Sequence, residues 1–99
     1  MNEEIFAQKN KVINRLFNLD TNAYMKGVLP VKTKEMLGLV SSMVLRCDDC
    51  VKYHLENCKK ERVSTEELYE IFAIANIVGE TIVIPHLRRA VDYWIELNN

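Results

Sequence analysis

Apolar residues recur at roughly helical spacing through most of the chain. Ile5, Phe6, Val12, Ile13, Leu16 and Phe17 predict an amphipathic helix that starts from a cap at Asn2, followed by Glu3 and Glu4, and runs to about Asn18. A second, short helix is predicted over Thr21 to Lys26, and Gly27-Val28-Leu29-Pro30 reads as a turn. Thr33 then caps a helix ending near Arg46, with Met36, Leu37, Val40, Met43 and Val44 as its expected buried stripe. From Cys47 to Glu61 a fourth helix places Cys50, Val51, His54, Leu55 and Cys58 on one side, and its basic C-terminal end suits the helix dipole. Ser64 and Glu67 form a capping box, which opens a helix through Leu68, Ile71, Phe72, Ala75 and Ile77 to Gly79. The segment Thr81 to Leu97 is ambiguous at its β-branched start and helical afterwards through Leu87, Ala90, Val91, Trp94 and Ile95, with Pro85 opening or kinking it.

Three glycines and two prolines are too few for the turns of a many-stranded sheet. The expected fold is therefore all-α, with about five to six helices in one domain covering residues 1–99. An alternative is a thioredoxin-like fold, in which Thr81-Ile82-Val83-Ile84-Pro85 is a strand entering a cis-proline and Leu37 to Leu45 a buried strand.

With 99 residues, 48% hydrophobic and 27% charged, the chain has the composition of a small soluble globule. Lysine and arginine number 13 against 14 acidic residues, and both signs are interspersed, so no basic face invites nucleic acid or anionic lipid. Contiguous apolar runs such as Ile82 to Ile84 fall far short of the ~20 residues a span needs, and the acidic opening Met1-Asn2-Glu3-Glu4 is unlike a signal peptide, so a cytoplasmic location is expected. A chain this short buries only about two-thirds of its unfolded surface, which favours self-association. Three cysteines, an odd number, fit a reduced compartment better than a disulfide-stapled secreted module.

The dense cluster of reactive side chains is Cys47-Asp48-Asp49-Cys50-Val51-Lys52-Tyr53-His54. On a helix, residues three and four apart are neighbours about 5–6 Å apart at Cβ, so Cys47 meets Cys50 and Cys50 meets His54. Such a pair can cycle between dithiol and disulfide, with His54 as base and a helix N-terminus favouring the thiolate. Peroxide attack would give a sulfenic acid for the second cysteine to resolve. Zinc lacks converging ligands, because about 12 Å of helical rise separates Cys58 from Cys50, and Cys58 reads as a small core residue. If the chain turns back near Arg46, an antiparallel hairpin brings Glu35 within reach of His54, giving a relay from Glu35 to His54 to Cys50. Alone, Glu35 also reads as a first-turn acid favoured by the helix dipole. His86, beside Arg88 and Arg89, has no such partners and reads as surface.

Glu35, eleven residues, Cys47-x-x-Cys50, three residues and His54 together resemble the signature of the alkylhydroperoxidase D-like group of the carboxymuconolactone decarboxylase superfamily. Gly27 to Glu35 is similar to the family's lead-in to its glutamate helix and Val63 to Leu68 to its next helix start, so the resemblance is strongest over residues 27–80. It implies an all-α helical bundle with a central antiparallel hairpin, assembled as a homotrimer or homohexamer, that reduces hydroperoxides at the expense of a dithiol reductant or reductant protein. No cofactor, metal, nucleic acid or membrane is implied. Cys50 would attack, Cys47 would resolve, and Glu35 with His54 would relay the proton. Two departures carry expectations of their own. Asp49 stands where relatives often have histidine, so that two carboxylates between the thiols oppose thiolate formation, and Arg62 stands where a helix-ending glycine is usual, which predicts a strained or differently shaped turn. The non-enzymatic alternative is a helical oligomer, an adaptor or structural protein, whose thiols Asp48 and Asp49 have quenched.

Overall fold

A computed structural model of the chain describes residues 10–99, and among these every regular element is helical. The helices are α1 (Lys11–Tyr24), α2 (Val31–Val44), α3 (Asp48–Lys60), α4 (Thr65–Gly79) and α5 (Ile84–Leu97), with a 3-10 turn, Glu80–Val83, between the last two. The strands of the thioredoxin-like alternative are absent from the described residues. The chain separates into two compact units, one reaching to Val31 and the other Lys32–Asn99.

In the first unit, Asn10 caps α1, its side-chain oxygen accepting from the backbone N–H groups of Val12 and Ile13 at 3.0 Å each. The part of the expected first helix before Asn10 lies outside the described residues. Nothing between Asn18 and Thr21 breaks a helix, so the two predicted helices are one as far as Tyr24. Val12, Leu16 and Leu19 lie exposed along it.

The second unit is built from hairpins whose directions are fixed by side-chain contacts. Glu35 on α2 meets His54 on α3 across the short connection at residues 45–47, so these two helices run antiparallel there. Trp94 near the end of α5 donates its indole N–H to the Thr65 hydroxyl at the start of α4, 3.0 Å away, so these two helices are also antiparallel. Glu80, with φ of 61°, breaks what is otherwise an apolar helical run from Thr65 to Leu97 long enough to cross a bilayer, and the fold-back turns that run into two packed helices. Lys32 pairs with Glu67 at 3.0 Å, setting the starts of α2 and α4 side by side, while Asp48 with Arg89 and Glu56 with Tyr93 hold α3 parallel to α5.

Leu39, Met43, Leu55, Leu68 and Val83 are fully buried in the core between these helices, with Phe72 and Trp94 nearly so. The capping box forms as expected, Ser64 and Glu67 each accepting the other's backbone N–H at 3.0 and 2.9 Å. That bond to the Ser64 N–H, with Lys32 alongside, holds the Glu67 carboxyl below its usual range. Pro85 opens α5 rather than kinking it.

The buried face of α2 differs from the predicted stripe. Glu35, Gly38, Leu39, Ser42 and Met43 are buried, whereas Leu37 is 54% exposed. Helical hydropathy misleads here because the inward face carries a glutamate and a serine. Likewise Ile77 on α4 and Ile95 on α5 face outward.

Candidate active site

The α2–α3 connection is short and places the cysteines. After Val44 the chain turns through Arg46, whose φ is 60°, with the Arg46 N–H bonded to Met43 O and the Cys47 N–H to Ser42 O, both at 3.0 Å. This is a Schellman motif, in which a left-handed residue lets the last carbonyls of the helix find donors. Cys47, its final residue, is also the N-cap of α3, because its sulfur accepts from the Cys50 N–H at 3.3 Å. The expectation that Cys47 lies within the helix is corrected by one residue. Cys47 and Cys50 are joined in a disulfide, with Cα atoms 5.2 Å apart. Cys50 is exposed and Cys47 half-buried.

Behind the pair, His54 Nδ1 and Glu35 Oε1 lie 2.8 Å apart, with residue exposures of 7% and 5%. Since a carboxylate only accepts, Nδ1 carries the proton and donates to Glu35, which makes Nε2 the basic atom of the ring. His54 is one helical turn beyond Cys50 on α3, so the structure shows two contacts, Glu35 with His54 and Cys47 with Cys50, carried by neighbouring turns of one helix. Cys58, a further turn along, is fully buried and unbridged. Burial pushes its thiol up to about 12, with the Glu35 and Glu61 carboxylates adding to the effect.

His86 corrects the sequence reading. Rather than standing apart on the surface, its Nδ1 lies 2.7 Å from Asp48 Oδ1, and Arg89 Nε donates to Asp48 Oδ2 at 3.0 Å. The hydrogen bond from His86 is the largest influence on the Asp48 carboxyl; burial opposes it, and with the charges of Arg89 and His86 added the carboxyl is held below its ordinary value. With Asp48 ionised, His86 Nδ1 is a donor, so its 3.2 Å approach to Arg89 Nη2 is a contact between two donors and not a bond. Asp48, Val51, Lys52, Arg89 and Ala90 line a cavity of about 100 Å³ between α3 and α5. Local sequence gives one faint signal for this cluster, the spacing of His86 and Arg89 on one face of a helix. That α3 and α5 are parallel with level N-termini, which brings both residues to Asp48, is a property of the packed bundle.

An all-α core carrying a Cys-x-x-Cys pair at a helix start, backed by a buried Glu–His hydrogen bond, defines a helical dithiol protein. The chain belongs to the carboxymuconolactone decarboxylase family, whose model matches residues 11–93. It is 30% identical to an uncharacterized protein of Cupriavidus necator over 76 residues, which are 77% of this chain and 67% of that one. Among solved structures, a Thermotoga maritima protein superposes with a TM-score of 0.91 at 52% identity over 98% of this chain and 85% of its own. A second crystal structure of that same Thermotoga protein, a carboxymuconolactone decarboxylase family protein for which involvement in an antioxidative response has been suggested, gives 0.87 at 55% identity over 90% of this chain and 92% of its own. A Legionella pneumophila protein of the family shares the fold, with a TM-score of 0.89 at 21% identity over 98% of this chain and 87% of its own.

Proposed function

We propose that the protein is a thiol-dependent peroxidase, a dithiol-disulfide oxidoreductase that reduces hydroperoxides. The observation that carries this reading is the buried hydrogen bond between Glu35 and His54, one helical turn behind a cysteine pair that is bridged in the structure. Glu35 orients the imidazole, and His54 Nε2 takes the proton of the Cys50 thiol. The thiolate attacks the outer peroxide oxygen, the O–O bond breaks, and the alcohol leaves with the proton while Cys50 becomes a sulfenic acid. Cys47 then attacks that sulfur, the disulfide forms and water leaves. An external dithiol returns both cysteines to thiols, so each turn converts hydroperoxide and dithiol into alcohol, water and disulfide. The antioxidative association suggested for the Thermotoga relative supports the same chemistry.

The chain works as a homotrimer or homohexamer in this reading, in the reduced setting of the cytoplasm and without a cofactor. Ile74, Ile77, Val78 and Ile82 leave an apolar outer face along α4 and the following turn, as does Leu45 at the end of α2, more than a lone domain of this size keeps in water. Turnover of an organic hydroperoxide with a small dithiol is the test. Consumption that is lost in Cys50→Ser supports the reading, and absence of turnover in the fully reduced oligomer leaves the helical adaptor as the better one.

A further inference from the structure

Asp48 lies between the two cysteines in sequence, at the first helical position of α3. A carboxylate there disfavours a neighbouring thiolate. Its position in the fold alters that balance, because His86 and Arg89 from α5 hold both its oxygens at 2.7 and 3.0 Å. Both contacts come from the first turns of α5.

We propose that His86 and Arg89 are positioning residues of the dithiol: they draw the Asp48 carboxylate against α5 and compensate its charge, so that Cys47 and Cys50 can ionise despite the acid between them. The inference rests on the dithiol chemistry proposed above and deepens it. The charged groups on the segments that carry the thiols or pack against them include Glu35 on α2, Arg46 in the turn before Cys47, Asp48, Asp49, Lys52 and His54 on α3, and His86 and Arg89 on α5. Of these, Glu35 and His54 are bound to one another, and Asp49 points into solvent, where water screens it. Asp48 is the acid next to Cys47 in sequence, and its partners come from α5. Cutting the clasp leaves the carboxylate next to Cys47 in the chain without the two partners that hold its oxygens.

The test reads the thiols directly and needs no hydroperoxide, so a failed peroxidase assay and a failed clasp are separate results. In the fully reduced full-length protein, the rate of alkylation of Cys47 and Cys50 by iodoacetamide is followed against pH, with the modified peptides resolved by mass spectrometry. His86→Ala with Arg89→Gln should slow alkylation at neutral pH roughly three- to tenfold, the effect of a neighbouring like charge that water largely screens, and move the profile to higher pH. Adding Asp48→Asn to that pair should restore the wild-type rate, and 1 M salt, where screening reaches ~3 Å, should shrink the difference. A clasp that served only to dock α5 would show no recovery on adding Asp48→Asn, since that change also leaves the helices unclasped. If the double variant fails to fold, Arg89→Gln with and without Asp48→Asn makes the same comparison at smaller amplitude. Unchanged alkylation, or slowing that Asp48→Asn does not reverse, overturns the proposal.

Discussion

Glu35 and His54, nineteen residues apart, share a 2.8 Å hydrogen bond inside the second unit, and both are all but sealed from water. A pair so placed has two consequences that separate by mutation. Glu35→Gln keeps the shape and a hydrogen-bonding group, so it should cost little stability while slowing the Cys50 reaction by weakening the orientation of the imidazole. His54→Ala removes the base, worth about 10²–10⁴-fold in general-base catalysis, and also strands the Glu35 carboxylate in the interior, a loss of about 3–5 kcal/mol. Stopped-flow oxidation and urea unfolding of both variants check this. Equal stability of the two would mean that Glu35 is not held as a buried charge.

Mild oxidation should bridge Cys47 to Cys50 and leave Cys58 as a thiol. Cys58 is fully buried and its thiol is pushed up to about 12, above its range in the unfolded chain. A raised value means the neutral form is favoured by folding. The stabilisation is complete below about pH 8.5, the ordinary thiol range, and is lost as pH rises towards 12, at about 1.4 kcal/mol per unit. Unfolding free energy measured from pH 8 to 11 should therefore fall more steeply in the wild type than in Cys58→Ala. Parallel slopes in the two proteins would contradict this.

Arg62 ends α3 with φ of 61°, and its N–H reaches Lys59 O at 3.0 Å while the Val63 N–H reaches Cys58 O at 2.9 Å. The strained turn expected where relatives place glycine is thus a Schellman turn built on an arginine. A left-handed conformation costs a residue with a Cβ about 1–2 kcal/mol. Arg62→Gly should raise stability by about 1 kcal/mol, net of the extra freedom glycine gains when unfolded, and leave thiol reactivity alone. Thermal unfolding would show it as a higher Tm.

The parts of this site that depend on local spacing were readable from the chain. Cys50 and His54 are four apart on one helix with Cys47 capping it, and Ser64 with Glu67 announces the next helix start. Glu35 was reachable because a tight turn after Arg46 leaves α2 and α3 little choice but to run antiparallel. The inward face of α2 was not legible, since hydropathy favours Leu37 over Glu35 and the preference reverses only once His54 is there to accept the acid. His86 was missed for a related reason. Its partner is 38 residues away, and α4 and the 3-10 turn must both be in place before α5 starts level with α3.

Gly79 closes α4 directly before the 3-10 turn that leads into α5. A methyl group added at Gly79 would run into the side chain of Val83, which is fully buried in the 3-10 turn, and Val44 Cα closes the other side at 3.9 Å. Valine is β-branched and stiff, so it cannot turn away, and the turn itself must shift. Alanine gains about 1 kcal/mol of helix propensity over glycine, but overpacking costs about 1–3 kcal/mol, so Gly79→Ala should be destabilising on balance. The same substitution made in a Val83→Ala background should cost less, by a coupling of at least about 0.5 kcal/mol in a double-mutant cycle of urea unfolding. Because the displaced turn carries the first turns of α5, Gly79→Ala should also loosen the Asp48 clasp and slow alkylation of the reduced cysteines at neutral pH. Additive effects at the two positions would show that the contact between Gly79 and Val83 does not set where α5 begins.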